Sequence, residues 1–279
     1  MGRDECAILY SGGTDSTCVA ALLAEKYPRL HLLTFREAGT RDTPDPKQNI
    51  ENLRRKFSRN QFIHQLFFVD GLLEKISYDR YFSYLRRHGF FMLSTCGFSS
   101  LSWHTRMIVY CLDNDIPNAA DGITRELMHF PGHMDVVLAE LRLLYQNFGI
   151  AYANPVRDWD VPTDQRFLDR LIVDRHGFTL SEDSAHDSPR KTTGRHLYQL
   201  GLLPHPNVKG SPLDRSMQHS CYPFVLFNIF AFWYYLSYHD RAQYEREMAD
   251  LFRRKIGDVK SFLEEYRELG PRSRLAAWI

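Results

Sequence analysis

Residues 8–17 read "ILYSGGTDST". Gly12 and Gly13 stand side by side, flanked by Ser11, Thr14, Asp15, Ser16 and Thr17. Adjacent glycines let the backbone take positive φ and turn consecutive N–H groups toward one point. A helix beginning near Asp15 and Ser16 adds its unpaired amides and its dipole. Ser11, Ser16 and Thr17 add hydroxyl donors. This chemistry suits a multiply charged anion, pyrophosphate above all. Asp15 repels such an anion unless it caps the helix or holds a magnesium ion beside the phosphates. Neither GxxxxGK[ST] nor GxGxxG occurs, which sets the chain apart from Walker-type and dinucleotide-binding folds.

The elements around this loop alternate. "CAILY" reads as a strand and "STCVAALLAEKY" as a helix; "LHLLTF" is a second strand. A polar loop, "REAGTRDTPDP", leads to the helix "KQNIENLRRKFS" and the strand "QLFFVD". "LLEKISYDRYFSYLRRH" reads as one helix, and "PNAADGI" as a weaker fourth strand ending in Gly122. Strands alternating with helices predict an α/β fold with a doubly wound, mostly parallel sheet. In such sheets ligands bind outside the C-terminal strand ends, where "SGGTDS" falls. "NPVRDWD" reads as a strand end before another helix. Residues 181–220, rich in Pro, Gly, Ser and charge, read as a long irregular segment, a candidate active-site lid. Residues 225–278 read as helical. The expected division is an α/β domain carrying this loop over 1–175, then an irregular segment and helical C-terminal subdomain over 176–279.

The 279 residues carry a formal net charge of +1, with 44% hydrophobic and 25% charged residues, an ordinary globular composition. No global field calls for nucleic acid, although "LRRKFSR" and "YLRRHG" are local basic clusters. Five widely spaced cysteines and a polar N-terminus predict a reducing cytoplasm. The apolar run 222–238 is short for a membrane span and contains Pro223 and Asn228. It reads as a core helix, with residues 224–238 also a candidate homo-oligomer interface.

"SGGTDS" after the first strand resembles the SGGxDS motif of the PP-loop ATP pyrophosphatases. That superfamily includes GMP and argininosuccinate synthetases, tRNA-thiolating enzymes, 7-cyano-7-deazaguanine synthases and sulfur-inserting enzymes of cofactor synthesis. The resemblance covers roughly residues 5–175. It implies ATP and magnesium as cofactors. ATP adenylates a substrate oxygen, pyrophosphate leaves into the loop, and a nucleophile displaces AMP. Ser11, Gly12, Gly13, Asp15, Ser16 and Thr17 then hold the phosphates, with Asp15 also counted as catalytic. The end of "LHLLTF" resembles the strand that meets adenine, which points to Thr34 and Phe35. "PNAADGIT" resembles the strand ending beside the nucleotide, which points to Gly122.

The same resemblance draws attention to two cysteines. Thiolating members carry a cysteine before the helix that precedes the fourth strand; here that place reads "STCGFSS", with Cys96 followed by Ser99 where a CxxC has its second cysteine. Cys221 in "QHSCYPF" resembles the "SCY" segment of the deazaguanine synthases without the remaining cysteines of their zinc cluster. Sulfur transfer to an adenylated carbon needs a nucleophilic sulfur. Cys96 and Cys221 therefore read as a persulfide carrier and its resolving partner. The spacing disfavours a zinc or an iron–sulfur cluster built with Cys111, and no metal ligand set is assigned. Cys6, Cys18 and Cys111 read as core.

Arg125, Glu126, His129 and His133 follow the fourth strand and read as substrate contacts, or, for the histidines, equally as surface residues with no role; Pro131 and Gly132 break a helical metal pair between the histidines. Lys209 and Arg215 are candidates for neutralising phosphate. The first functional reading is installation of sulfur on a nucleobase, tRNA base or small molecule, with a sulfur-donor protein as a candidate partner and tRNA less favoured than a small molecule. The second is an AMP-forming ligase joining an amine or ammonia to an adenylated substrate. The third is a nucleotide-binding module without catalysis.

Overall fold

The computed structural model describes residues 4–38, 40–41, 46–128, 130–161, 191–208, 211–217, 220–221, 227 and 229–279. Its main sheet contains β1 (Glu5–Leu9), β2 (Arg29–Arg36), β4 (Gln61–Phe68), β5 (Asn118–Ala120) and β6 (Ala151–Ala153). The order is β4-β2-β1-β5-β6, and every neighbouring pair is parallel. The chain winds outward from β1 to β2 and β4, then returns to the other side of β1 for β5 and β6. The topological switch lies between β1 and β5, where a parallel sheet opens a crevice beyond its strand ends.

Helices cover both faces, as the alternation of side chains along β1 and β2 requires. Cys6, Ile8, Leu30 and Leu32 face one core, shared with Val19 and Ala20 of α1 (Thr14–Ala24) and Leu53 of α2 (Lys47–Lys56). Ala7 and Leu33 face the other, built with α5 (Thr95–Asp113), α6 (Asp135–Asn147) and the long C-terminal helix Arg241–Leu269. Cys6, Cys18 and Cys111 are buried within these cores. Neither they nor Cys96 take part in a disulfide. A second, two-stranded sheet pairs β3 (Thr40–Arg41) antiparallel with β7 (Ser220–Cys221). Among the described residues, no helix is long and apolar enough to cross a membrane.

Three stretches depart from the sequence reading. The helix expected from "LLEKISYDRYFSYLRRH" divides into α3 (Asp70–Tyr78) and α4 (Tyr81–His88), with Arg80 between them at a φ of 53°. A buried lysine from the C-terminal helix accounts for the break: Lys255 Nζ donates to Ile76 O at 2.6 Å, occupying a carbonyl in the last turn of α3. The C-terminal stretch is also divided. A π-helical turn at Ile229–Tyr235 and a short helix at Leu236–Tyr238 end before Asp240, whose carboxylate accepts from Gln243 N at 2.7 Å and starts the helix Arg241–Leu269. Within the segment read as irregular, the described residues form two short helices, Thr193–Gln199 and Pro212–Met217. Thr192 caps the first by accepting from Arg195 N at 3.2 Å. The helix expected after "NPVRDWD" falls on residues 162–190, and the rest of the lid reading on 181–190, 209–210 and 218–219, all outside the described residues.

Of the aromatic run 224–238, Phe227, Ala231 and Tyr235 enter the larger core, while Tyr234 and Tyr238 are exposed. The first turn of α5 is seated against the C-terminal helix. A Cβ at Gly97 would lie 2.3 Å from Phe252 Cζ and 2.9 Å from Pro131 Cβ. Gly97→Ala is therefore expected to destabilise the protein by about 1–3 kcal/mol through overpacking. Denaturant unfolding checks this, and Phe252→Leu in the same chain should recover part of the loss.

Candidate active site

The SGGTDS loop follows β1 into the crevice at the switch point. Gly12 takes a φ of 84°, a left-handed conformation that L side chains rarely adopt, and a Cβ there would lie 2.7 Å from Pro46 Cβ. Asn49 of α2 pins the turn by donating to Gly12 O at 2.6 Å. Gly13 precedes α1 with extended backbone, and no side chain caps that helix. Its first-turn amides therefore face the crevice as anion donors. The hydroxyls form a connected set: Ser11 Oγ lies 3.1 Å from Ser16 Oγ and accepts from Gly13 N at 3.2 Å, and Ser16 Oγ also contacts Gly13 O at 3.2 Å. Thr17 is turned inward, where its hydroxyl lies 3.2 Å from Tyr10 OH.

The loop opens onto a cavity of about 540 Å³ lined by Ser11, Gly13, Asp15, Ser16, Thr34, Phe35, Cys96 and Gly122. Eight of the expected site residues thus share one chamber. Thr34 is committed to the fold, since its hydroxyl donates to Tyr10 O at 2.7 Å and lies 2.9 Å from His64 Nε2. Phe35 presents a ring stacked on Phe67 at 5.8 Å. Cys96 sits in the first turn of α5 at the cavity wall. Gly122 acts sterically, because a Cβ there would lie 2.7 Å from Ser16 N and 2.9 Å from the carbonyl carbon of Asp15. Only a glycine lets the chain leaving β5 pass beneath the start of α1.

Of the other expected residues, Glu126 and His133 line the cavity, whereas Arg125 forms an ion pair with Asp158 at 2.5 Å and does not line it. Cys221 lies in β7, its backbone paired with Thr40. That pairing brings it beside the chain leaving the C-terminal end of β2; its side chain is outside the described residues. Lys209 and His129 are outside them as well, as is the side chain of Arg215. Val208, Asp214 and Met217, close by in sequence to Lys209 and Arg215, line the cavity.

Several lining residues carry no signal in the sequence. Thr193 Oγ1 donates to Asp15 Oδ1 at 2.6 Å, holding the loop carboxylate from a helix far along the chain. Gly194 beside it lies so close to Pro206 that a Cβ would meet Pro206 O at 2.5 Å. Asp121 is buried at the cavity floor, where it accepts from Tyr152 OH, from Asn154 Nδ2 at 2.8 Å and from Ile123 N at 3.0 Å. Burial raises its pKa, against the lowering effect of these donors. His104, fully buried, places Nδ1 3.0 Å from Tyr145 OH and Nε2 3.9 Å from Asp121 Oδ2. Burial, helped by His133, pushes the His104 pKa down to about 3; burial and then the Arg157 guanidinium push His133 to about 4. Both imidazoles are neutral at neutral pH. Arg157 itself is held by Asp135 Oδ1 at 2.7 Å, Thr124 O at 2.6 Å and His133 O at 2.9 Å.

Among the described residues, no group of three or more His, Cys, Asp or Glu is placed to hold a metal ion. A magnesium ion that keeps most of its coordination from nucleotide phosphates and water needs only one or two protein carboxylates. Asp15, at the mouth of the loop, fits that requirement.

No family model and no curated protein matches the chain. Among solved structures, it is similar to one described as a predicted subunit of tRNA methyltransferase from Methanocaldococcus jannaschii, at 18% identity over 56% of this chain and 69% of that chain, with a TM-score of 0.32. The fold above rests on the chain's own strand pairing.

The two buried imidazoles predict an acid-labile fold. Between pH 6.5 and about 4 the unfolded chain binds protons that native His104 and His133 refuse, so their contribution to stability falls as the pH falls. Thermal unfolding midpoints across that window should drop in the wild type and drop less steeply in His104→Gln.

Proposed function

We propose that the protein is an ATP-dependent enzyme that forms AMP and pyrophosphate, and that it uses adenylation to replace a substrate carbonyl oxygen with sulfur. The observation that carries this reading is the placement of the uncapped SGGTDS loop, Gly122 and Cys96 around one cavity at the topological switch of a parallel sheet. The loop supplies amide and hydroxyl donors for the departing pyrophosphate. Thr34 and Phe35, at the end of β2, offer a surface for the adenine ring. The acceptor enters between α5 and the segment that follows β5.

In this reading the acceptor's carbonyl oxygen attacks the α-phosphorus of ATP. The bond to the bridging oxygen breaks, and pyrophosphate carries away the electron pair. Asp15 would hold magnesium beside the phosphates, with Thr193 fixing the carboxylate's orientation. When bound, the ion offsets the negative charge that builds on the leaving group. The activated carbon is then open to a sulfur nucleophile. A persulfide on Cys96, loaded by an external sulfur donor, adds through its terminal sulfur, and AMP departs with the original oxygen. A second thiol, assigned to Cys221, attacks the Cys96 sulfur. That step releases the thiocarbonyl and leaves a disulfide for an external thiol to reduce.

An amine in place of the sulfur gives the ligase reading, which needs neither cysteine. Asp15→Ala is expected to keep the thermal midpoint near wild type and to lower pyrophosphate release by on the order of a hundredfold. Cys96→Ser should retain ATP–pyrophosphate exchange while losing transfer of labelled sulfur. Undiminished turnover in Asp15→Ala defeats the assignment of the loop; undiminished product formation in Cys96→Ser favours the ligase.

A further inference from the structure

Two buried imidazole nitrogens in the cavity wall have no partner among the described residues. His104 is fully buried in α5, and its Nδ1 lies 3.0 Å from Tyr145 OH. Its Nε2 is buried without a hydrogen-bond partner, the Asp121 carboxylate being 3.9 Å away. Asp121 does not close that gap, because Tyr152 OH, Asn154 Nδ2 and Ile123 N already hold it. His133 Nδ1 is likewise buried without a partner. Both histidines line the cavity. A buried polar atom left unpaired is costly, and natural folds keep few of them.

The fold brings the two rings together. The turn Pro131–His133 lies on the first half of α5: a Cβ at Gly132 would meet Ser100 Cβ at 2.9 Å, and one at Gly97 would meet Pro131 Cβ at 2.9 Å. Glycines at both positions permit the approach. The imidazoles end close enough for His133 to help burial depress the His104 pKa, and both are neutral at neutral pH. A neutral imidazole carries one N–H and one bare nitrogen. Tyr145 OH can give or take the hydrogen bond at His104 Nδ1, so Nε2 can present a proton or a lone pair. His133 has the same choice of tautomer. Two N–H groups, or two lone pairs, in one wall repel each other, so the mixed pair has the lower electrostatic energy. It offers a donor and an acceptor together without net charge. Phe130 and Trp103 line the same chamber and give it flat aromatic faces.

We infer that this end of the cavity is a subsite for a ring amide, a lactam whose carbonyl oxygen and N–H share one edge, and that His104 Nε2 and His133 Nδ1 hold that edge. The lactam oxygen accepts from one imidazole, and the lactam N–H donates to the other. Both open nitrogens are then satisfied by one ligand group. The two histidines thereby act as specificity-determining residues. The binding inference stands on the cavity itself; that the bound lactam is the group to be adenylated rests on the adenylation reading.

The test compares two isomers, α-pyridone and γ-pyridone, titrated into the full-length protein with its histidines isotope-labelled. In α-pyridone the carbonyl and N–H share an edge; in γ-pyridone they lie on opposite sides of the ring. Saturable binding of α-pyridone should move the imidazole nitrogen resonances of His104 and His133 and leave those of the exposed His239 in place. γ-Pyridone is expected to bind about five- to tenfold more weakly. A folded His133→Phe should bring the two isomers to within about twofold of each other. Equal binding of the isomers, saturation that leaves both resonances unmoved, or no saturable binding of α-pyridone overturns the inference in the wild-type protein alone, whatever the stability of the variant. An isomer preference unchanged in a folded His133→Phe overturns it too. Pyrophosphate release is measured separately. If it is absent while the isomer preference and the resonance shifts persist, the adenylation reading fails and the subsite stands.

Discussion

The site depends on one steric constraint, the passage of the chain leaving β5 beneath the first turn of α1. A Cβ at Gly122 would lie 2.7 Å from Ser16 N, closer than side-chain carbons approach backbone nitrogen. Because position 122 lacks that carbon, the uncapped helix start and the carboxylate of Asp121 lie on two sides of a single crossing. The phosphate loop and the acid-lined floor become neighbours without any side chain between them. Gly12 and Asn49 fix the loop from above, and Asn154 and Tyr152 fix Asp121 from below. A conformational requirement at two glycines thereby sets the spacing between the loop and the floor.

That arrangement joins two opposing electrostatic demands in one chamber. The loop offers amides and hydroxyls, which attract an anion; the floor offers carboxylates, which repel it. The conflict is limited by position, because the donors lie at the helix start and the buried acids lie behind Gly122. Asp15 stands at the boundary, and its hydrogen bond from Thr193 turns one carboxylate oxygen toward the helix 193–199. The lining thus gives the chamber two ends of different character, hydroxyl- and amide-rich at the loop and acidic at the floor.

Local signals made the position and turn of the SGGTDS loop legible from sequence. "SGGTDS" joins a five-residue strand to a helix, and its glycines and hydroxyl residues lie in one contiguous stretch. Gly122 was legible for the same reason, at the end of a short apolar run. The parallel sheet followed from alternation of apolar runs with amphipathic ones. Thr193 had no such signal, because its role is defined by Asp15, 178 positions away. His104 sits in a helix where a buried histidine and a surface one look alike in sequence; only the packing of Tyr145 and Tyr152 around it gives it a place in the wall. The division of α3 from α4 was equally hidden. It depends on Lys255, a residue whose charge predicts exposure and whose amine instead holds the Ile76 carbonyl. Tertiary hydrogen bonds to buried polar groups leave no periodicity to read.

The buried polar cluster at the floor gives the chamber its rigidity. Tyr145 and Tyr152 stack at 4.5 Å, and His104 meets both rings edge-on. Tyr152 and Asn154 project from the end of β6, while Tyr145 comes from α6 and His104 from α5, so three elements converge on Asp121. Both oxygens of that carboxylate are held, which removes the freedom that a solvated aspartate would have. A fixed carboxylate differs from a mobile one: it cannot rotate, so it holds the three elements around it in one arrangement. An open histidine nitrogen beside a fully engaged aspartate therefore defines a hydrogen-bonding edge of set geometry. One polar group of the floor is thus completely satisfied within the fold, while the His104 Nε2 beside it is not.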